Sequence, residues 1–422
     1  MEIFPVLAAN IYDFFGEHEY VLDEVQFEYL EGKYTGRGIL TWNPDKGFHL
    51  ESFVTRYGSP LPSESFGGFR MIRKSDRRTI KMKPRGYRGW VIAPNVNLFE
   101  RWDVRFQNRL QIDVDSVLFS NQSEYKPDSY IGTSLYYGIE ENILFPDIVK
   151  EETILGDFRS VQQTRKGITL DEPNCQIVRG LQIREKYLRL HWSLDKSRYG
   201  RFHSWIWPQA AADALSILTG RSVQLVCREV NRGSRVYVEM KRPKKITYLG
   251  ILSPLPESYP LNKNRFARMV EFFTKESNSL EAIVCRNIFG QMSEAVRQKS
   301  WQACELLLST ILEAAFRTLQ KKPFRPRGKG LDIKQGLREF RQKYFADQWI
   351  LWCEKAYEVQ DRLRNRNAHP DWLYEEGDPL SDIRKSESLE DMIFLSRFYG
   401  YMILALSGKK GLEPEFPKKP FR

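Results

Sequence analysis

Apolar residues in this chain recur every second position up to about residue 260, and every third or fourth position beyond it. Side chains alternate between faces of a strand with period two and return to one face of a helix with period 3.6. The first stretch therefore reads as strands and the second as helices. Short alternating runs such as Gly38-Ile39-Leu40-Thr41-Trp42, Phe48–Val54 and Arg109–Val114 are separated by turn signals, among them Asn43-Pro44-Asp45-Lys46-Gly47. Further strands are expected at 176–193. A hairpin is expected from Val223–Val230 and Ser234–Met240 around the turn Asn231-Arg232-Gly233, with one helix, Pro208–Leu218, just before it. After residue 263, helices are expected near 265–275, 280–296, 301–319, 332–345, 348–368 and 389–406. The expected fold is α+β: a β-rich region over 1–260, a sandwich or barrel, then an all-α bundle over 263–422. A break near 122–130 would divide the first region in two, and the Lys- and Pro-rich tail from Lys409 to Arg422 is expected to be loose.

Composition narrows the function classes. Hydrophobic residues make up 41% of the 422 and aromatics 13%, enough to bury sizeable cores. No apolar run reaches membrane-spanning length, and Met1-Glu2-Ile3-Phe4-Pro5 lacks the basic-then-apolar pattern of a leader, so a cytoplasmic protein without a membrane partner is expected. Cys175, Cys227, Cys285, Cys304 and Cys353 are odd in number and widely spaced, which fits reduced core thiols and gives no metal-ligand spacing; neither a metal nor a cofactor is expected. The net charge is +11. Nine basic residues lie within 70–88 against Asp76, and nine within 321–344 against Asp332 and Glu339. Such runs can neutralise phosphates, as well as simply solvate a surface.

The segment that carries chemistry is Leu363-Arg364-Asn365-Arg366-Asn367-Ala368-His369-Pro370. An arginine followed at similar distance by a histidine also occurs at Arg198…His203 and Arg184…His191, so spacing alone decides nothing. Three features separate Arg364…His369: an amide follows the arginine, the pair closes a long amphipathic helix, and Pro370 disfavours the α conformation at His369, so the imidazole leaves the helix there. At about 100° per residue, Arg364 sits roughly 80° from the centre of the apolar stripe at Ala356, at the edge of the buried face. Two readings remain open from the residues themselves. Arg364 and His369 can cap the helix C-terminus, where cations meet free carbonyls, or they can hold a phosphate and move a proton beside it.

Arg364, a polar Asn365, a short spacer and His369 near the end of a C-terminal helix resemble the HEPN domain, over roughly 297–407. Arg366 within the spacer adds a charge to the family pattern. The β-rich region, chiefly Gly38-Ile39-Leu40-Thr41-Trp42-Asn43-Pro44 and the strand after it, looks like the region preceding HEPN in ApeA-type antiphage proteins. The resemblance implies a metal-independent endoribonuclease of abortive-infection defence that acts on RNA, tRNA among the candidates. It also implies a homodimer or higher oligomer that pairs two motifs, and a phage-derived trigger sensed through the first region. Arg364, Asn365 and His369 would then be catalytic, with Arg366, Arg325, Arg327, Lys329, Arg338 and Arg341 on the RNA. Some members of the family are inactive and only bind nucleotides or partners. A silent binding and dimerisation module is therefore the alternative.

Other features carry less. A carboxylate near the motif could orient His369, Glu358 being the nearest in sequence, but a solvated helix face explains Glu305, Glu354 and Glu358 at least as well. His18, His49, His191 and His203 have no partners at ligand spacing, and Gly86-Tyr87-Arg88-Gly89-Trp90 mixes basic and aromatic residues that could stack bases, although a turn between strands is the better account.

Overall fold

A computed structural model describes residues 11–29, 32–57, 71–76, 80–84, 91–93, 96–101, 108–114, 116–122, 129–139, 149–155, 158–164, 174–180, 186–197, 199–255, 263–275, 280–309, 350–368 and 379–407. It contains both antiparallel sheets and helices, an α+β architecture. The chain divides into two compact units. Unit 1 is Met1–Ile139, Ile148–Pro208 and Gln224–Lys245; unit 2 is Glu140–Asp147, Gln209–Val223 and Ile246–Arg422.

Unit 1 holds two eight-stranded sheets. The first is built from β1 (His18–Tyr29), β2 (Gly32–Asn43), β3 (Gly47–Tyr57), β4 (Met71–Asp76), β5 (Ile80–Pro84), β6 (Val91–Ala93), β7 (Val96–Arg101) and β8 (Asn108–Val114), in the order β4-β7-β8-β3-β2-β1-β5-β6. The second has β9 (Ser116–Gln122), β10 (Ser129–Tyr137), β11 (Val149–Leu155), β12 (Phe158–Thr164), β13 (Asn174–Gly180), β14 (Lys186–Asp195), β15 (Gln224–Asn231) and β16 (Arg235–Lys241). Its order is β11-β12-β13-β14-β10-β15-β16-β9. The two sheets share an aromatic core: Tyr20 and Phe48 of the first pack on Phe119 of the second, and the Trp42 indole N–H donates to the Phe14 carbonyl at 3.0 Å. Opposite that core, the second sheet receives the first turns of helix α1 (Arg201–Thr219), where Trp207 stacks on Trp192. Gly132 lies directly across from Trp192 and must lack a side chain, because a Cβ there would meet the indole at 2.2 Å.

Helix α1 begins at Arg201, seven residues before the expected start, and carries Pro208 inside it. Proline disfavours the α conformation before it, which is why the sequence rule starts the helix there. Packing overrides the rule: the Tyr136 hydroxyl donates to the Pro208 carbonyl at 3.0 Å and Arg228 Nη1 donates to the Trp205 carbonyl at 2.6 Å, holding the earlier turns helical.

Unit 2 contains the second half of α1, α2 (Lys263–Lys275), α3 (Leu280–Arg297), α4 (301–309 as described), α5 (Ile350–Ala368) and α6 (Pro379–Ser407). In α2, Phe266, Met269, Val270 and Phe273 are all buried at spacings of three and four, the one-faced stripe of a packed surface helix. Helix α6 differs. Met392, Phe394, Leu395, Phe398, Tyr399, Tyr401, Met402, Ile403 and Leu404 are buried on every side, while Ile393 and Leu406 are only half-buried. A helix apolar all round is a central one. Gly400 brings α6 onto Pro254, whose carbonyl oxygen would lie 2.1 Å from a Cβ at that position, and Ser396 donates to the Leu252 carbonyl at 2.5 Å. Helix α6 also starts ten residues earlier than expected, with Pro379 at its first position, where a missing N–H costs nothing. The expected helix at 332–345, the continuation of α4 over 310–319 and the tail lie outside the described residues, as do the 321–344 run and Gly86–Trp90.

Candidate functional site

Helix α5 presents the Arg-Asn pair. Ala356, Val359 and Leu363 on one face are fully buried, with Gln360 beside them, and the next residue, Arg364, is exposed. The guanidinium thus leaves the helix at the border between packing and solvent, as the angular argument requires. Two turns of α5 are tied to α6. Lys355 Nζ stands 4.9 Å from the Phe394 ring centre. Arg362 forks onto the Asp391 carboxylate, Nη2 to Oδ1 at 2.6 Å and Nε to Oδ2 at 3.2 Å. Asp391 is sealed, with 9% of its side chain exposed, whereas the Arg362 side chain is 51% exposed, so the pair grips from inside and opens outward. A two-pronged contact fixes orientation as well as distance. It lies two residues from Arg364.

A second polar contact lies one turn earlier on α6. Ser388 donates to Glu305 Oε1 of α4 at 2.9 Å, and Glu305 is 4% exposed. The expectation of a solvated Glu305 is therefore corrected. This carboxylate is inside, accepting a hydroxyl, because α4 turns that face toward the central helix. Glu354 and Glu358 are exposed. Asn365 and Arg366 are helical residues of α5, their side chains outside the described set. His369, Arg325, Arg327, Lys329, Arg338 and Arg341 also lie outside the described residues. The structure thus brings Arg364 and Asn365 together on one turn, with His369 following the last residue of α5.

The two similar spacings elsewhere sit in different surroundings. His203 is at the start of α1, where its Nδ1 accepts the Gly200 N–H at 3.1 Å. His191 is a strand residue of β14, opposite Thr133 and Asn174. The thiols of Cys227 and Cys304 are free and buried. Among the described residues, no group of three His, Cys, Asp or Glu side chains is placed to hold a metal, and no helix is long and apolar enough to cross a membrane.

Sequence reasoning missed Asp391 and Arg362. Their contact joins residues 29 apart, which no local pattern encodes. The available signal was Asp391 itself, an acid opening the apolar run Met392-Ile393-Phe394-Leu395. Set against protein-family models, curated proteins and solved structures, the chain matches none.

Proposed function

We propose that the helical part of the chain is a HEPN-like domain, and that the protein is a metal-independent endoribonuclease acting on RNA, tRNA among its candidate substrates. The supporting observation is the exposed Arg364 on a helix end held by a buried stripe and an oriented arginine–carboxylate fork, with His369 five residues on in sequence. In this reading the ribose 2′-OH attacks the neighbouring phosphorus and the 5′ oxygen leaves, giving a 2′,3′-cyclic phosphate and a 5′-OH. In a homodimer, one His369 accepts the 2′-OH proton while the second copy's His369 protonates the leaving oxygen. Arg364 stabilises charge on the non-bridging oxygens, and Asn365 orients the phosphate or the imidazole. The 2′-OH is the nucleophile, so DNA is inert. A cytoplasmic role in abortive infection, with a phage-derived trigger acting through the β-rich region, completes the proposal and rests on the family resemblance alone.

Total RNA and a tRNA pool, incubated in EDTA with the wild type and with His369→Ala, test it. Wild type alone should cut, leaving cyclic phosphate ends. Equal cutting by both proteins, or 5′-phosphate products, would reject the assignment. RNA binding by both proteins with cutting by neither would favour the silent binding module.

A further inference from the structure

The tip of the β15–β16 hairpin gathers three arginines at the start of α1. Asn231 and Val236 are the last paired residues of the ladder, and the Arg232 N–H closes the turn on the Arg235 carbonyl at 2.8 Å. Gly233, at φ +83°, takes the first place of the two-residue loop, as such hairpins require. Arg232 and Arg235 are therefore directly opposed, and opposed residues share a face. The strand period puts Arg228 on that same face of β15, with Tyr237 and Glu239 on it in β16. It is the face that receives α1.

The two opposed pairs are unlike. Arg228 meets Glu239 across the strands at 2.6 Å, both side chains buried. Arg232 meets another arginine, an arrangement that costs rather than stabilises. Its guanidinium is nevertheless held in place: Nε donates to Ser204 Oγ at 3.2 Å, another nitrogen donates to the Arg201 carbonyl, and the Trp205 and Tyr237 rings flank it at 5.7 and 5.9 Å. Burial pushes this guanidinium below its ordinary range; Tyr237 and Tyr130 oppose that, and the cations Arg201 and Arg228 add to it. Nearby carboxylates are engaged elsewhere. Glu239 holds Arg228 and Lys241, Glu229 accepts the Ile11 N–H, and Asp195 accepts the Ser197 N–H. Arg201 and Arg235 are exposed, and so is Phe202 on the first turn of α1, with 53% of its surface open. That turn carries no acidic residue and adds the positive end of a helix dipole.

We infer that Arg201, Arg232 and Arg235, with Phe202 beside them, form a contact site on unit 1 for the backbone of single-stranded RNA. Guanidiniums meet phosphate oxygens in a two-pronged way, and an exposed ring offers a base a stacking face without regard to sequence. The charge calls for a polyanion; choosing RNA over other polyanions rests on the ribonuclease reading above.

The test uses the full chain carrying His369→Ala, so that the probe survives, and a fluorescein-labelled single-stranded RNA 12-mer read by anisotropy across a salt series. Arg201→Glu with Arg235→Glu should weaken binding by about tenfold or more near 0.1 M salt. It should also flatten the salt dependence by roughly 0.7 per lost phosphate contact, about 1.4 in all. Arg201→Lys with Arg235→Lys should keep the salt slope but lose severalfold in affinity, because an ammonium cannot reproduce the two-pronged contact, and Phe202→Ala should lose about fivefold. Unchanged affinity and unchanged salt slope in the charge-reversed protein, with its melting temperature preserved, would overturn the inference. Lost binding with no cleavage by the wild type would keep the contact and reject the ribonuclease; cleavage dependent on His369 with unaltered binding would do the reverse.

Discussion

Among the arginine–carboxylate pairs of this protein, one from each unit shows how surroundings set what such a pair can do. In unit 1, Arg228 and Glu239 face each other across β15 and β16, both buried, with the guanidinium 3.5 Å from the Trp205 ring centre. In unit 2, Arg362 reaches Asp391 with half of the arginine in solvent. Two desolvated charges are strongly coupled, because neither can fall back on water. A half-exposed pair is worth little in stability, since water and salt screen it, but it still fixes orientation. The first pair is thus a structural joint. The second steers the turn that carries Arg364.

Breaking the buried pair should have the largest effect on stability. Arg228→Met leaves the buried Glu239 with only the longer Lys241 contact at 3.4 Å and should cost roughly 3–5 kcal/mol in urea unfolding, while Arg228→Met with Glu239→Leu should recover most of it. A loss under about 1 kcal/mol for the single variant would mean that water reaches the site. The same pair predicts a pH dependence. Burial raises the Glu239 carboxyl, but Arg228 and Lys241 outweigh it and hold the group below its ordinary 4.5. A depressed carboxyl contributes stability above the unfolded-state value and loses it as pH falls toward the folded one, so this contribution fades below about pH 4.5. The double variant should lack that part of the acid limb.

Asp391→Asn sharpens the contrast from the other side. Stability should fall by about 1 kcal/mol or less. Cleavage should fall by roughly ten- to a hundredfold, because a small misplacement of a phosphate-holding group is costly in rate. Equal percentage losses in both would make Asp391 structural only.

The smallest effect concerns two buried thiols, Cys227 in unit 1 and Cys304 in unit 2. Cys304 is pushed up to about 11 by burial, and Cys227 is raised well above its ordinary value, first by burial and then by nearby carboxylates. Neither should react with a thiol reagent at neutral pH in the folded protein. In a urea titration followed by peptide mapping, Cys304 should label before Cys227.

Local geometry was legible in the sequence and long-range pairing was not. Gly38–Trp42 and Arg109–Val114 lie in β2 and β8, and the helices expected near 265–275 and 280–296 are α2 and α3, because periods of two and 3.6 are properties of the backbone itself. The exposed edge position of Arg364 followed from the same regularity. Pro208 within α1 did not, since the contacts that override the proline come from Tyr136 and Arg228. Nor did the partnership of Ser116–Gln122 with β16, more than a hundred residues later, or the all-round burial of α6. Arg232 read as a turn residue; the arginine opposite it and the rings around it required the folded hairpin.

The central claim is that the end of α5 is a catalytic surface and not a pair of helix-capping cations. Arg364→Ala and His369→Ala, each measured for RNA cleavage and for melting temperature, separate the two. The catalytic account predicts cleavage reduced by roughly a hundredfold or more. It also predicts melting within a degree or two of wild type, since an exposed arginine contributes little to stability. Undiminished cleavage together with a melting temperature lowered by several degrees would contradict it and assign both residues to the helix cap.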